Sequence, residues 1–108
     1  MALTRAFKDT IQARAQRDPE FRVGLLEDAL EAFLDGELDT GKILLRDYVN
    51  ATVGFEALGV QLDKSPKSLM RMLSEEGNPR ADNLFALVAH LKAREGLAVR
   101  VRRKTAPA

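Results

Sequence analysis

Residues 54–92, GFEALGVQLDKSPKSLMRMLSEEGNPRADNLFALVAHLK, carry the clearest structural signal in this chain. Its apolar spacing predicts two short helices joined by a tight turn and, after a Gly-Asn-Pro corner, a third helix. Ser65-Pro66 is a strong start for the middle helix, because serine caps free backbone amides and proline suits the first helical position. A polar, basic helix held on a small core is typical of a helix-turn-helix domain that binds the DNA major groove.

The middle helix presents cationic and hydroxyl side chains on one face when Pro66–Glu75 is projected at about 100° per residue. Arg71 is at the centre of that face, and Lys67 and Ser68 lie beside it. Arginine and lysine donate to guanine O6 and N7, and serine bonds to bases or phosphates. We therefore expect these three residues to read DNA bases. Lys-Ser-x-x-Arg is also common on ordinary solvated helices, so the neighbouring helices are what favour DNA.

The rest of the chain up to residue 96 also has helical periodicity, which predicts an all-α fold. Helices are expected over residues 4–16, from Asp18-Pro19-Glu20 to Gly36, and from Asp39 or Thr40 to about residue 50. The inner side of the third of these is expected to contain Ile43, Leu44 and Tyr48, with Leu45 as a further candidate. Leu97–Arg102 alternates apolar and basic residues, which predicts a short edge strand or an extended arm. A lone strand needs a partner strand, and a dimer mate is the simplest source.

Composition excludes several classes of site. The 108 residues include no cysteine and a single histidine, His90, so a disulfide is excluded and a zinc site is not expected. We find no nucleophile–base pair and no glycine-rich phosphate loop, and we expect no catalytic residue, metal or cofactor. No apolar run reaches the roughly 20 residues of a membrane helix, and no signal segment is evident. These observations favour a soluble cytoplasmic protein that is not an enzyme.

Several blocks in order resemble one family. Residues 55–74 resemble the helix-turn-helix of phage-repressor (Xre/Cro-type) regulators. A closer resemblance, to HigA-like "probable addiction module antidote" regulators, covers nearly the whole chain. It is carried by DPEF at 18–21, GKILLRDYVNATVGFEAL at 41–58, KSLMRML at 67–73 and GNPRADNLFALVAHL at 77–91. Departures from the repressor pattern are Phe55, where a phosphate-binding glutamine is frequent, and Asp63, at a turn position often held by glycine.

The resemblance implies a lambda-repressor-like helix-turn-helix domain of about four to five helices. It would occupy residues 37–96, after an N-terminal helical extension at 1–36 and before a strand or arm and disordered tail at 97–108. Such regulators bind double-stranded operator DNA as homodimers and repress their own operon. By analogy, the middle helix would be the recognition helix, and the turn before it and the loop after it would contact DNA phosphates. In this chain those positions are Lys64, Ser65, Asn78 and Arg80.

An alternative is a protein-binding antidote in which DNA binding is secondary or lost. Residues 1–50 carry seven Lys/Arg against ten Asp/Glu, whereas residues 51–108 carry ten against six. Residues 20–39 alone contain seven acidic groups and one basic group, Arg22. A small RelE/ParE-type toxin is expected to be basic, so an acidic helix could dock it. An acidic face is also common on ordinary solvated helices, so the composition leaves both interpretations open.

Overall fold

The computed structural model describes the backbone of residues 5–105 and, within that range, all side chains except those of Arg5, Phe7 and Lys8. Residue 4, where the first helix is predicted to begin, and residues 106–108 of the predicted tail lie outside the described residues. Within residues 5–105 the chain forms six helices and no strand, which confirms the all-α class for this part. The helices are α1 (Arg5–Arg17), α2 (Pro19–Leu34), α3 (Leu38–Ala51), α4 (Phe55–Leu62), α5 (Pro66–Met72) and α6 (Ala81–Glu95).

The start of α2 follows from its first residues. The Phe21 N–H donates to Asp18 Oδ1 at 3.2 Å, and Pro19 occupies the first turn. Aspartate satisfies one of the amides that a helix start leaves open, and proline has no amide to satisfy. The predicted start at Asp18-Pro19-Glu20 is therefore confirmed. Helix α3 begins at Leu38, slightly earlier than predicted, and has no side-chain cap.

A single cluster of buried side chains joins α2 to α6. It draws on every helix from α2 onward and contains Leu26, Ala29, Leu45, Tyr48, Val49, Phe55, Leu58, Leu69, Leu73, Leu87 and Leu91. Helices α2 and α3 form the most extensive helix pair. The N-terminal segment thus packs on the same core as the later helices. The division of the chain at residue 36 stays a prediction.

The inner face of α3 differs from the prediction. Leu45, Tyr48 and Val49 are fully buried, and Lys42 is 2% exposed, whereas Ile43 is 49% exposed. Positions 42, 45 and 49 recur at three- and four-residue steps, so they share one side of the helix. Ile43 lies off that side, and the prediction that it faces the core is wrong. A lysine takes an inner position because its ammonium donates two hydrogen bonds to backbone carbonyls and forms an ion pair with a carboxylate, as described below.

Residues 97–105 form neither helix nor strand. Leu97 packs partly against the core, its N–H donates to the Lys92 carbonyl at 3.0 Å, and its carbonyl accepts from Lys92 Nζ at 3.1 Å. The predicted strand is absent from the single chain, because no second strand exists among the described residues to pair with it. No helix within residues 5–105 has the length and apolar character needed to cross a membrane.

Candidate nucleic-acid interface

The turn between α4 and α5 is tight. Asp63 adopts a left-handed conformation with φ 54°, and the Lys64 N–H donates to the Gly59 carbonyl at 2.9 Å. This is the bonding of a Schellman helix end, and aspartate tolerates the left-handed backbone better than most residues do. A Cβ on Gly59 would lie 2.6 Å from the Lys64 carbonyl oxygen. Glycine at position 59 therefore allows the end of α4 and the start of α5 to approach closely.

The start of α5 is fixed by a serine cap. Ser65 Oγ accepts from the Ser68 N–H at 3.1 Å and donates to Ser68 Oγ at 2.9 Å. Pro66 follows at the first helical position. The predicted Ser-Pro helix start is therefore confirmed. Leu69 is buried, whereas the three predicted base-reading residues are exposed, namely Lys67, Ser68 and Arg71.

The end of α5 is earlier than projected. The helix ends at Met72 and not at Glu75, so Ser74 and Glu75 do not continue its outer face. The Arg71 carbonyl accepts from both the Ser74 N–H, at 3.2 Å, and Ser74 Oγ, at 2.7 Å. These bonds turn the chain away from the helix axis. Arg71 consequently lies in the last turn of α5, close to where the next loop begins.

The loop at residues 73–80 is held from inside the molecule by a lysine that sequence reasoning missed. Lys42 Nζ donates to the Gly77 carbonyl at 2.7 Å and to the Glu75 carbonyl at 3.3 Å. It also forms an ion pair with Asp39 at 3.4 Å. The available signal was a lysine three residues before Leu45, on the buried side of α3.

Most of the predicted contact residues border one open groove, between α5 and the 73–80 loop. Those that line it are Lys64, Ser65, Ser68, Arg71, Asn78 and Arg80. Lys67 is exposed on the same helix but does not line the groove. The other charged side chain in the lining is one carboxylate, Glu76, so cations predominate. A groove with cations, hydroxyls and two side-chain amides can take an anionic ligand such as a phosphodiester backbone.

The cations of this groove are only weakly held. Lys64 Nζ donates to Asn83 Oδ1 at 3.3 Å, and Arg80 pairs with Asp82 at 3.4 Å. The Arg80 and Asp82 side chains are largely exposed, and such ion pairs contribute little to stability. Arg71 forms no ion pair with any other described residue. These side chains can therefore turn toward a ligand at small cost.

Other candidate positions have structural roles. Phe55 is a buried core residue, so it offers no hydrogen bond to phosphate. His90 is half-buried, and its Nε2 lies 2.6 Å from Gln61 Oε1. Among the residues that the structure describes, no group of three or more His, Cys, Asp or Glu could hold a metal ion.

Comparison of this chain with protein-family models, with curated proteins and with solved structures found no match.

Proposed function

We propose that this chain is a sequence-specific DNA-binding regulator whose helix α5 enters the major groove. The observation that carries the proposal is the cationic groove in which the exposed side of α5 meets the 73–80 loop. A helix that reads DNA needs an exposed outer face and flanking segments that bind phosphates. Its outer face contacts base edges, and flanking segments fix its register on the phosphates.

The residues divide between these two roles. Lys67, Ser68 and Arg71 lie exposed on α5 and would contact base edges. Phosphates would be held by side chains from the turn before the helix and the loop after it, namely Lys64, Ser65, Asn78 and Arg80. The arrangement supports this division, because the second set lies at both ends of a helix only seven residues long.

The resemblance of the sequence blocks to HigA-like antidote regulators extends the proposal. The operator would lie in the protein's own promoter, and the chain would act as a homodimer and as the antitoxin of a toxin–antitoxin module. The turn at Asp63 supports the helix-turn-helix interpretation, because its left-handed backbone does there what glycine often does. Because Phe55 is buried, the chain lacks one phosphate contact of the repressor pattern. The 73–80 loop would therefore supply a larger share of the phosphate contacts.

Footprinting on the DNA upstream of the gene tests the proposal. Wild-type protein should protect a defined site, and Arg71→Ala should weaken specific binding by about 1–3 kcal/mol and relax the base preference locally. Arg17→Ala is the matched control, because Arg17 is an exposed arginine in the last turn of α1. Equal affinity of wild type and Arg71→Ala for the operator would rule out the base-reading role. Absence of any protected site would overturn DNA regulation itself.

The second candidate function is a protein-binding antidote. Helix α2 and its end carry exposed carboxylates that form no ion pair with any described residue, namely Glu27, Glu31 and Asp35. A basic toxin could dock on this face through complementary charge. Pull-down with the product of the neighbouring gene tests this, with all three carboxylates changed to lysine. Glu56→Lys, an exposed reversal on α4, is the control. Retained capture by the triple variant would contradict docking on this face.

A further inference from the structure

We propose that Lys42 is a positioning residue for DNA binding, although it lies inside the protein and touches no ligand. It would fix the 73–80 loop, and with it the phosphate contacts of Asn78 and Arg80, relative to α5. The inference rests on the proposed function, and it adds a residue that neither the helix projection nor the resemblance identifies.

The ammonium of Lys42 is fully used within the protein. It has three N–H donors, and three acceptors surround it: the carbonyls of Gly77 and Glu75 and the carboxylate of Asp39. Its side chain is 3% exposed, so water competes little for its bonds to the two carbonyls, whereas the Asp39 carboxylate is 84% exposed. Burial of an ammonium is costly unless it is paired and hydrogen-bonded. The loop carbonyls therefore stay directed at Lys42 as long as the charge remains there.

The bond to Gly77 also orients the residue that follows. The Gly77 carbonyl and the Asn78 N–H belong to one planar trans peptide unit, in which they point in opposite directions. Lys42 draws the carbonyl inward, so the Asn78 N–H is directed away from Lys42. That N–H has no hydrogen-bond acceptor among the described residues, and Asn78 lines the groove. Backbone amides of this kind are frequent donors to DNA phosphates.

The preceding peptide unit and the Cα of Gly77 are held as well. The Gly77 N–H donates to the Ser74 carbonyl at 3.0 Å. A Cβ on Gly77 would overlap the carbonyl oxygen of Arg71, at the end of α5. The loop is thus fixed between the end of α5 and the ammonium of Lys42. Loss of the ammonium would free the loop on one side and separate the phosphate contacts from the helix that reads bases.

The chain contains no cysteine, which allows the charge at position 42 to be removed and restored chemically. The Lys42→Cys variant is alkylated in denaturant and then refolded. Alkylation with 2-bromoethylamine restores an ammonium, and alkylation with 1-bromopropane gives a neutral side chain of similar length. The aminoethyl protein should bind the operator as wild type does. The propyl protein should bind more weakly, and its slope of log K against log salt should be smaller by about 1, as for loss of one phosphate contact.

A double-mutant cycle separates positioning from general stability. Lys42→Met keeps the aliphatic stem and removes the charge, and Arg80→Ala removes a proposed phosphate contact. If Lys42 acts through the loop, the double variant should lose less affinity than the sum of the two single losses, by more than the roughly twofold error of such cycles, because both single variants lose the Arg80 contact. Val49→Ala is the control, because Val49 is buried on the same helix and contacts the core cluster. It should lower stability, leave the salt slope unchanged and add fully to Arg80→Ala.

The outcomes distinguish the inference from the function on which it rests. Additive effects of Lys42→Met and Arg80→Ala, or equal binding by the aminoethyl and propyl proteins, would overturn the positioning role while DNA binding stands. Failure of the wild type to bind any operator would overturn both. Hydrogen exchange without DNA gives a second measurement on folded protein. The Ser74 and Gly77 amides should exchange faster in Lys42→Met than in Val49→Ala, and equal rates would contradict the inference.

Discussion

The ionisation of Tyr48 is linked to folding. Its hydroxyl donates to Glu95 at the end of α6, and Arg22 of α2 pairs with the same carboxylate at 3.3 Å. Arg22 also donates to the Ala15 carbonyl of α1 at 2.8 Å. Burial, followed by the hydrogen bond and the charge of Glu95, raises the pKa of Tyr48 from 10.0 to about 12. Four helices thus meet at one network of polar side chains.

Tyr48→Phe should change how the stability depends on pH. Below pH 10 the tyrosine is protonated in both folded and unfolded chains, so its contribution is fully present. Between pH 10 and 12 the unfolded chain loses this proton while the folded chain keeps it, and the contribution falls. The loss should reach roughly 2–3 kcal/mol, because one pKa unit corresponds to about 1.4 kcal/mol. Urea unfolding of both proteins from pH 7 to 12 measures it.

The difference between wild type and Tyr48→Phe isolates this residue from the other groups that titrate at high pH. Their difference in free energy of unfolding should be constant below pH 10 and shrink above it. A difference that stays constant up to pH 12 would contradict the role of Tyr48.

Alanine substitutions at Gly24 and Gly77 should change the free energy of unfolding in opposite directions. A Cβ on Gly77 would overlap backbone carbonyls of α5, whereas a Cβ on Gly24, within α2, would meet nothing within 4 Å. Gly24→Ala should raise the free energy of unfolding by about 0.5–1 kcal/mol, because glycine costs that much in a helix. Gly77→Ala should lower it, because the loop must shift. Thermal unfolding of both variants decides, and equal signs would contradict the close approach at Gly77.

The stability of helix α5 depends on its N-terminal cap, because the helix has only seven residues. Ser65→Ala removes the acceptor for the Ser68 N–H and should lower stability by about 0.5–2 kcal/mol. Ser65→Asp keeps a good cap and adds a negative charge where a phosphate is proposed. It should therefore leave the free energy of unfolding close to that of the wild type and weaken operator binding. If both variants lost stability equally, Ser65 would not act as the cap.

Local signals predicted the starts of α2 and α5 but not the end of α5. Asp18 and Ser65 act through amides three residues away, so their effect is visible in a short segment of sequence. The end of α5 at Met72 depends on bonds from Ser74 and on Lys42, which lies 33 and 35 residues before its two acceptors in the 73–80 loop. No local period contains that information, so the projection continued to Glu75.

The candidate site shows the same division. Residues that share one helix, namely Lys67, Ser68 and Arg71, could be grouped by spacing alone. The resemblance added Lys64 and Ser65 of the turn and the loop residues Asn78 and Arg80. Lys42 was missed because a lysine inside an apolar pattern usually indicates a solvated position, and only the loop folded over it supplies its acceptors.

Over the whole molecule, acidic and basic surfaces belong to different elements. Exposed carboxylates lie on α2, whereas cations border the groove beside α5. DNA repels the carboxylates of α2 and attracts the cations beside α5, so the protein should approach DNA with α5 facing it. We therefore expect operator affinity to fall with salt, and Glu27→Gln to alter it much less than Arg80→Ala does. Titrations at several salt concentrations measure both effects.

We expect the protein to form a two-fold dimer through α6 and the segment 97–102. Phe85, Val99 and Val101 are exposed there in the single chain, and residues 98–105 make no backbone hydrogen bond with any described residue. A mate would cover these side chains and supply the missing partner strand. Phe85→Glu combined with Val101→Glu should give monomers in sedimentation, whereas Ile43→Glu, an exposed apolar residue on α3, should not.

A dimer places two copies of α5 about 34 Å apart, so wild type should protect an inverted repeat with half-sites about 10 base pairs apart. The monomeric variant should bind either half-site separately and weakly, and a wild type that sediments as a monomer would contradict this arrangement.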